Sequence, residues 1–416
     1  MQLTLTRKKS FYESIVLNML SKMEKGRLDI ALPSGETFSI GNGNGITANI
    51  EIRNKNFFKR CVLFGDIGFG ESYVDGEWKT GNITNVIKWF LLNIDNSPEI
   101  SGGVKNFALN ILKLWNKISH FNRANDLDGS RKNISEHYDL NNDFFKLFLD
   151  PTMTYSSAYF KEDGMSLQEA QMEKYKRLCE KLKLNSSDRV LEIGSGWGGN
   201  AIFIAKNYGC SVTSVTISEE QLKFAREKVA QENLSEKIKI ELLDYRKLEG
   251  QFDKIISIEM LEAVGDKFFE VYFKKCHELL KKNGILALQV ITCPDSRYEN
   301  LRNGVDWIQK HIFPGSLLPS VARINRAINS TGDLSLVDLK EFGLDYAKTL
   351  SIWKEQFNKN ISTSPPSPLL KERGGFVDEK FIRKWNYYFS YCEAAFAMRN
   401  INVMQLVYSR PNNISR

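Results

Sequence analysis

The feature that most restricts the fold of this chain is a regular alternation of strand-like and helix-like segments, which begins near residue 188. Apolar segments rich in β-branched residues occur at DRVLEIG, CSVTSVTIS, IKIELLD, DKIISIEM and GILALQVI, and helical spacing between them predicts helices at 199–208 and 219–231. Residues 334–342 and the terminal VMQLVYSR predict two further strands. This rhythm predicts an α/β fold with a mostly parallel, seven-stranded sheet covered by helices on both faces.

The first part of the chain follows a different pattern. A helical stripe at residues 11–23 precedes strand-like segments at GRLDIAL, ETFSI and ITANIEI, then a glycine-rich stretch, GDIGFGESY, with no predicted element. We therefore predict a smaller α+β domain at residues 1–118, a polar linker at 119–133 and a larger domain at 134–416. Within the larger domain, the Pro-, Ser- and Gly-rich residues 362–375 predict a disordered surface insertion.

Composition and charge limit the classes of function. The chain has no run of about 18 apolar residues and no secretory signal, so we expect a cytoplasmic protein without a transmembrane helix. The net charge of +7 suits peripheral association with the anionic inner face of a membrane. No nucleic-acid-binding motif accompanies that charge, so a nucleic-acid partner is not expected. The 6 cysteines form no CxxC pair and the 4 histidines lack ligand spacing, which predicts no metal site.

The strongest local signal is VLEIGSGWGG at residues 190–199, where an apolar strand enters a glycine turn that opens a predicted helix. Glycines allow the backbone to approach a ligand closely, and a helix N-terminus offers unpaired N–H groups. A nicotinamide site would require G-x-G-x-x-G and an acid closing the second strand. This chain instead has GSGWGG, with Thr216 to Ser218 at that strand end. The Glu-x-Gly-x-Gly form resembles the first motif of class I methyltransferases, which implies S-adenosylmethionine (SAM) as the cofactor.

Over most of its length the chain resembles the cyclopropane-fatty-acyl-phospholipid synthase family. The segments that carry the resemblance are GFGESYVDGEW, HYDLNNDFFKLFLDPTMTYSSAYF, VLEIGSGWGG, VTISEEQ, LDYRKL, FDKIISIEMLEAVG, IFPGSLLPS and FGLDYAKTL, in that order. The resemblance implies a Rossmann-like methyltransferase domain. It also implies transfer of a methyl group from SAM to the double bond of an unsaturated fatty acyl chain, giving a cyclopropane, methyl-branched or methylene-branched product. The implied partner is a membrane phospholipid or another acyl lipid, and a homodimer is left open.

The resemblance further implies four groups of cofactor contacts. Tyr155 and Ser156 lie at the methionine end, and the glycine turn contributes Val190, Glu192, Gly194, Ser195, Gly196, Trp197 and Gly198. The ribose is contacted by Thr216, Ile217, Ser218 and Gln221, and the adenine by Asp244 and Tyr245.

The catalytic residues are also carried over from the resemblance. An alkene is a poor nucleophile, and its methylation leaves a carbocation that must lose a proton. In the family, a bicarbonate ion serves as the base, in a cradle made of a Cys, a Glu, a His, a Tyr and the backbone of an Ile. The corresponding positions here are Ser157, Glu262, Gln289, Tyr346 and Ile291. Because a serine and a glutamine replace the thiol and the imidazole, we expect a weakened bicarbonate site and Glu262 acting as the base itself.

Two other functions remain open from the sequence. Plant N-methyltransferases of the coclaurine type share much of the catalytic domain, so a small amine or another natural product is a second class of substrate. A third hypothesis is a non-catalytic lipid-binding protein, and the intact glycine turn argues against it.

Overall fold

The structure is a computed structural model that describes residues 9–93, 142–363 and 378–413. The predicted linker at 119–133 and the domain boundaries on either side of it lie outside these ranges. Most of the predicted insertion at 362–375 also lies outside them, and its first two residues belong to the last turn of a helix that ends at Thr363.

The N-terminal part contains a four-stranded sheet with the order β2-β1-β3-β4. Strands β1 and β3 pair in parallel, whereas β1 with β2 and β3 with β4 are antiparallel. Buried and exposed side chains alternate along β3, as the apolar alternation of ITANIEI predicts. The elements are α1 (Phe11–Leu20), β1 (Arg27–Ala31), β2 (Thr37–Ile40), β3 (Thr47–Ile52), α2 (Asn56–Val74), β4 (Trp78–Lys79) and α3 (Ile83–Leu92).

The glycine-rich stretch lies inside helix α2, which the sequence did not predict. The helix is kinked at Gly65, where φ is 57° and ψ is −129°. A β-carbon on Gly70 would lie 2.5 Å from Cδ1 of Trp307 and 2.8 Å from Cε1 of Tyr387. Glycine at residue 70 therefore reflects the close approach of α2 to two buried rings, a tertiary contact that overrides the low helix propensity of glycine.

Replacing Gly70 by alanine is expected to destabilise the protein by ~1–3 kcal/mol, because the added methyl overpacks the contact with Trp307 and Tyr387. Urea unfolding would measure the change. Gly81→Ala is the matched control, since a β-carbon there would meet only Asn49 Oδ1, at 3.8 Å. Equal loss of stability in both variants would contradict the packing argument.

The larger part contains a seven-stranded sheet with the order β10-β11-β9-β8-β5-β6-β7. Strands β5 to β9 pair in parallel, and β11 lies antiparallel between β9 and β10. The predicted mostly parallel α/β fold is therefore confirmed. The elements are α4 (Asn142–Lys146), α5 (Leu167–Leu182), β5 (Arg189–Ile193), α6 (Gly199–Tyr208), β6 (Ser211–Thr216), α7 (Glu219–Gln231), β7 (Ile238–Leu242), β8 (Phe252–Ile258), α8 (Phe269–Leu279), β9 (Leu280–Thr292), α9 (Tyr298–Asn303), α10 (Trp307–His311), α11 (Val321–Asn329), β10 (Ser335–Glu341), α12 (Gly343–Thr363), α13 (Glu379–Ala397) and β11 (Asn402–Ser409).

The N-terminal part packs against α13 of the larger part. Arg383 on α13 donates hydrogen bonds to the backbone oxygens of Tyr73 and Trp78, at 2.6 and 2.8 Å. Buried side chains of both parts, including Trp89 and Trp385, belong to one continuous hydrophobic core. The N-terminal part thus helps to hold α13 in position, and α13 forms a wall of the cavity described below.

The parallel strands β5 to β9 bring their carboxyl ends to one edge of the sheet. Ligands of open α/β sheets bind in a crevice outside this edge, at the point where the strand order reverses, which here lies between β5 and β8. Across the described ranges, no helix is both long enough and apolar enough to cross a bilayer.

Candidate functional site

A cavity of about 540 Å³ lies at the carboxyl edge of the seven-stranded sheet. Its walls are the turn after β5, the ends of β6, β7 and β8, the loop after β9, and helices α12 and α13. The volume is in the range of sites that bind small molecules.

The glycine turn after β5 presents bare backbone to this cavity. Gly194, Gly196 and Gly198 have φ values of 98°, 47° and 85°, which only glycine adopts readily. The backbone N–H groups of Gly194 and Ser195 donate to the carbonyl oxygen of Val215 on β6, each at 3.0 Å, and hold the turn in place. A β-carbon on Gly196 would meet no described protein atom within 4 Å. The turn therefore leaves space for a ligand beside its backbone.

Twelve of the predicted cofactor residues line the cavity, and three do not. Val190 is a fully buried core residue of β5, Gly198 packs against Ala225, and Ser218 caps α7 through the N–H of Gln221. These three residues support the elements that line the cavity but do not line it themselves. Those that line it are Tyr155, Ser156, Glu192, Gly194, Ser195, Gly196, Trp197, Thr216, Ile217, Gln221, Asp244 and Tyr245.

Glu192 at the end of β5 ties three elements together. Its Oε1 accepts a hydrogen bond from Asn200 of α6 at 2.8 Å, and its Oε2 accepts one from Ser214 of β6 at 2.5 Å. Burial raises the pKa of Glu192 to about 7. The side chain therefore fixes the geometry around the glycine turn through hydrogen bonds within the protein.

Asp244 follows β7, and its carboxylate is held by Arg246 at 2.6 and 2.9 Å. Burial opposes ionisation, but the hydrogen bonds and charge of Arg246 lower the pKa of Asp244 below its usual value. On the neighbouring strand end, Thr216 Oγ1 donates to Gln221 Oε1 at 2.9 Å. The polar groups predicted at the adenine and the ribose are thus preorganised at adjacent strand ends.

The predicted catalytic residues come together around a side chain that the sequence analysis missed. Glu259 follows β8, and its Oε1 accepts hydrogen bonds from the backbone N–H of Ser157 at 2.9 Å and from Gln289 Nε2 at 2.8 Å. Its Oε2 accepts a hydrogen bond from the hydroxyl of Tyr346 at 2.8 Å. Glu259 and Tyr346 line the cavity, whereas Ser157 and Gln289 are 0% and 1% exposed and lie behind Glu259.

A second glutamine sets the orientation of Gln289. Gln405 on β11 lies opposite Gln289 on β9, and its Nε2 donates to Gln289 Oε1 at 3.1 Å. This bond leaves the NH₂ group of Gln289 directed at Glu259. The hydroxyl of Ser157 donates to the backbone oxygen of Ala158, so Ser157 contributes its backbone N–H to the cluster.

Glu262 lies one turn further along and has a different environment. Its Oε1 accepts a hydrogen bond from the backbone N–H of Ile291 at 2.5 Å, and its Oε2 has no hydrogen-bond partner among the described residues. Burial, with a smaller contribution from the charge of Glu259, raises the pKa of Glu262 to about 8. At pH 7 this carboxyl group is therefore mostly neutral.

A buried lysine completes the polar cluster. Lys174 on α5 donates to Ser156 Oγ at 2.7 Å and is 0% exposed. Burial lowers the pKa of Lys174, and the charges of Glu259, Asp150 and Glu192 oppose that shift. Lys174 and the carboxylate of Glu259 therefore favour each other's charged form.

Both missed residues carried a signal in the sequence. Glu259 directly follows a predicted buried strand, which is where ligand-facing side chains of such sheets lie. Lys174 interrupts the buried face of α5, between Gln171 and Leu178. A lysine on a buried face is rarely unpaired, so it indicates a partner of opposite charge.

Aromatic and aliphatic side chains form the rest of the cavity wall. On α13, Trp385 and Phe389 belong to the core, whereas Tyr388 and Phe396 line the cavity. The ring of Phe396 stacks on Tyr346 with centroids 4.5 Å apart. The aromatic face of this helix therefore serves as core on one side and as apolar cavity wall on the other.

Comparisons with known proteins agree with one another. The mycolic acid cyclopropane synthetase family matches residues 125–406. The chain is 40% identical over 365 residues to a cyclopropane-fatty-acyl-phospholipid synthase of Escherichia coli, covering 87% of this chain and 88% of that protein. It is 36% identical over 359 residues to a tuberculostearic acid methyltransferase of Mycobacterium tuberculosis, covering 83% and 79%. A solved mycolic acid cyclopropane synthase complexed with SAH and CTAB superposes with a TM-score of 0.60 at 28% identity, covering 67% of this chain and 98% of that one.

Proposed function

The chain belongs to the mycolic acid cyclopropane synthetase family, and we propose that it transfers the methyl group of SAM to the double bond of an unsaturated fatty acyl chain in a membrane phospholipid. The observation that carries the proposal is a single cavity that joins the glycine turn, a pair of carboxyl groups and an apolar wall. The glycine turn suits the cofactor, the carboxyl groups suit a reaction that creates positive charge, and the apolar wall suits an acyl chain.

The residues present fit SAM. Space lies beside the backbone of Gly196, and Thr216, Gln221, Asp244 and Tyr245 line the part of the cavity next to it. SAM supplies an electrophilic methyl group when it is bound. The N-terminus of α6, which begins directly after the turn, would favour the carboxylate end of such a ligand through its positive potential.

The protein's own groups favour alkylation of an alkene in three ways. Apolar side chains at the cavity wall, including Ile308, Phe313 and Leu317, exclude water from a bound acyl chain. The stacked rings of Tyr346 and Phe396 offer an aromatic face to developing positive charge. The carboxylate of Glu259 adds negative charge and a proton acceptor to the same site, beside the mostly neutral carboxyl group of Glu262.

Bicarbonate does not fit this site. The backbone N–H of Ser157, the amide of Gln289 and the hydroxyl of Tyr346 already donate to Glu259, and the N–H of Ile291 already donates to Glu262. A free anion would have to displace the carboxyl groups from these donors and would meet the like charge of Glu259. The proposed reaction therefore does not use bicarbonate.

The test uses purified protein, vesicles of monounsaturated phospholipid and SAM with a labelled methyl group. The expected result is label in the lipid, with a mass gain of one methylene unit per modified chain, and chromatography then separates ring from branch. Part of the lipid should be anionic, because the net charge of +7 leads us to expect binding to such vesicles. Co-sedimentation in the same samples measures that binding.

Vesicles of saturated phospholipid are the control and should gain no label, since they lack the double bond. A protein that binds SAM but labels neither lipid would contradict the proposed acceptor. Label in a small amine added to the same reaction would then favour the second class of substrate.

A further inference from the structure

Three hydrogen-bond donors that the family resemblance assigned to a free anion converge on a side chain of this protein. They are the backbone N–H of Ser157, the amide of Gln289 and the hydroxyl of Tyr346, and all three reach the carboxylate of Glu259 at 2.8–2.9 Å. Charge-assisted hydrogen bonds of this length are strong. Three donors around one carboxylate form a complete anion site that the chain fills itself.

The backbone at Glu259 supports a functional role. Its φ of 49° lies in the left-handed region, which non-glycine residues rarely adopt. The backbone N–H donates to the carbonyl oxygen of Gln289 at 2.7 Å, which holds this conformation against β9. Backbone strain of this kind is concentrated at active sites, where the surrounding structure keeps a side chain in a required position.

Glu259 is also open on the side where a substrate would lie. It is half-buried, and it lines the cavity while Ser157 and Gln289 lie behind it. The group facing the reacting atoms is thus a carboxylate of the protein.

We propose that Glu259 is the resident base of this enzyme, taking the place of the bicarbonate ion and removing the proton that the methylated acyl chain loses. This inference rests on the proposed function and names the group that completes its reaction. It replaces the prediction from the sequence that Glu262 is the base.

The proposed step balances without another reactant. The π electron pair of the alkene forms the new carbon–carbon bond as the carbon–sulfur bond breaks, and the electrons of that bond stay on sulfur. An oxygen of Glu259 takes a proton from the cation that results. If the proton leaves the new methyl group, the C–H electron pair closes a cyclopropane ring. If it leaves a chain carbon next to the cation, the C–H pair forms a double bond within a methyl-branched chain. A methylene branch requires a 1,2-hydride shift that moves the cation to the methyl-bearing carbon, after which the proton leaves the new methyl group and its C–H pair forms the exocyclic double bond.

The electrostatic environment separates Glu259 from Glu262. Burial raises the pKa of Glu259, which makes it a better proton acceptor, while the hydrogen bonds from Gln289, Ser157 and Tyr346 and the charge of Lys174 limit the rise. The ionised form of Glu262 is stabilised only by backbone N–H groups, chiefly that of Ile291, and Glu262 is mostly neutral at pH 7. Since a carboxyl group that already holds its proton cannot accept one, Glu259 is the better placed base.

The experiment compares two variants of the full chain in bicarbonate-free buffer and in buffer with added bicarbonate. Glu259→Gly empties the anion site and suits the positive φ at this residue. Glu259→Gln keeps the site filled with a group that cannot accept a proton. We expect both to lose at least ~100-fold in turnover without bicarbonate, the range of general-base catalysis.

Added bicarbonate should raise the turnover of Glu259→Gly at least ~10-fold, because its three donors are free again, and should leave Glu259→Gln and the wild type unchanged. SAM binding by calorimetry shows that each variant is folded. A wild type that requires bicarbonate, a Glu259→Gln variant with wild-type turnover, or a Glu259→Gly variant that bicarbonate does not rescue would each overturn the proposal. The proposed function fails separately, if the wild type transfers no methyl group to unsaturated lipid under either condition.

Discussion

A Gly196→Val variant is expected to lose at least ~100-fold in affinity for SAM, which corresponds to ~2.7 kcal/mol of binding free energy. The φ of Gly196 is 47°, where a β-branched residue is strained. A side chain at this position would also enter the cavity, because no described protein atom lies within 4 Å of its β-carbon. Both effects remove the bare backbone that the cofactor needs. Isothermal titration calorimetry measures the affinity directly.

Gly250→Val is the matched control for this loss of affinity. Gly250 also has a positive φ, of 97°, and a β-carbon there would again meet no described atom within 4 Å. It is exposed and lies away from the cavity, so its replacement imposes similar backbone strain and should leave SAM affinity nearly unchanged. Wild-type affinity in Gly196→Val, or an equal loss in Gly250→Val, would show that the turn is not the cofactor site.

A Glu262→Gln variant is expected to become more stable than the wild type as the pH rises from 5 to 8. Burial raises the pKa of Glu262 in the folded protein from 4.5 to about 8. Between these two values the folded state binds a proton that the unfolded state releases, so the wild type loses stability as the pH increases through this window. The neutral amide has no such dependence. From the size of the pKa shift of Glu262, the difference in free energy of unfolding between the variant and the wild type should approach ~4 kcal/mol at pH 8.

Urea unfolding of both proteins at pH 5 and pH 8 measures this difference. Glu249→Gln, at an exposed glutamate, is the control and should show the same pH dependence as the wild type. The difference in free energy of unfolding between Glu262→Gln and the wild type should change between the two pH values. If it does not, the pKa of Glu262 is not raised, and the electrostatic argument that distinguishes Glu262 from Glu259 is wrong.

Much of the larger part of the fold could be predicted because its signals are local. The helices at residues 199–208 and 219–231 have the predicted bounds, and each strand of the seven-stranded sheet lies within or overlaps its predicted segment. In a parallel sheet the strands are apolar on both faces and are separated by helices, so the pattern is visible within short windows. The glycine turn is equally local, since strand, turn and helix are consecutive.

Local signals failed where a distant contact decided the structure. No element was predicted for the glycine-rich residues 65–70, yet they lie in α2, where Gly70 closely approaches the rings of Trp307 and Tyr387. The same failure explains why Glu259 was overlooked. Its role depends on Ser157, Gln289 and Tyr346, which are 102, 30 and 87 residues away along the chain.

The sequence alone determined the fold class, the position of the glycine turn and the protein family, because each of these is encoded in consecutive residues or in motifs of fixed order. It also named five of the side chains or backbone groups of the candidate catalytic cluster, namely Ser157, Glu262, Gln289, Tyr346 and Ile291. Only the tertiary structure decided which anion those groups hold. The strand order places the end of β8 beside the end of β9, and α12 brings Tyr346 over both. Convergence of donors from three separate elements on Glu259 is a property of that packing, and no spacing along the chain expresses it.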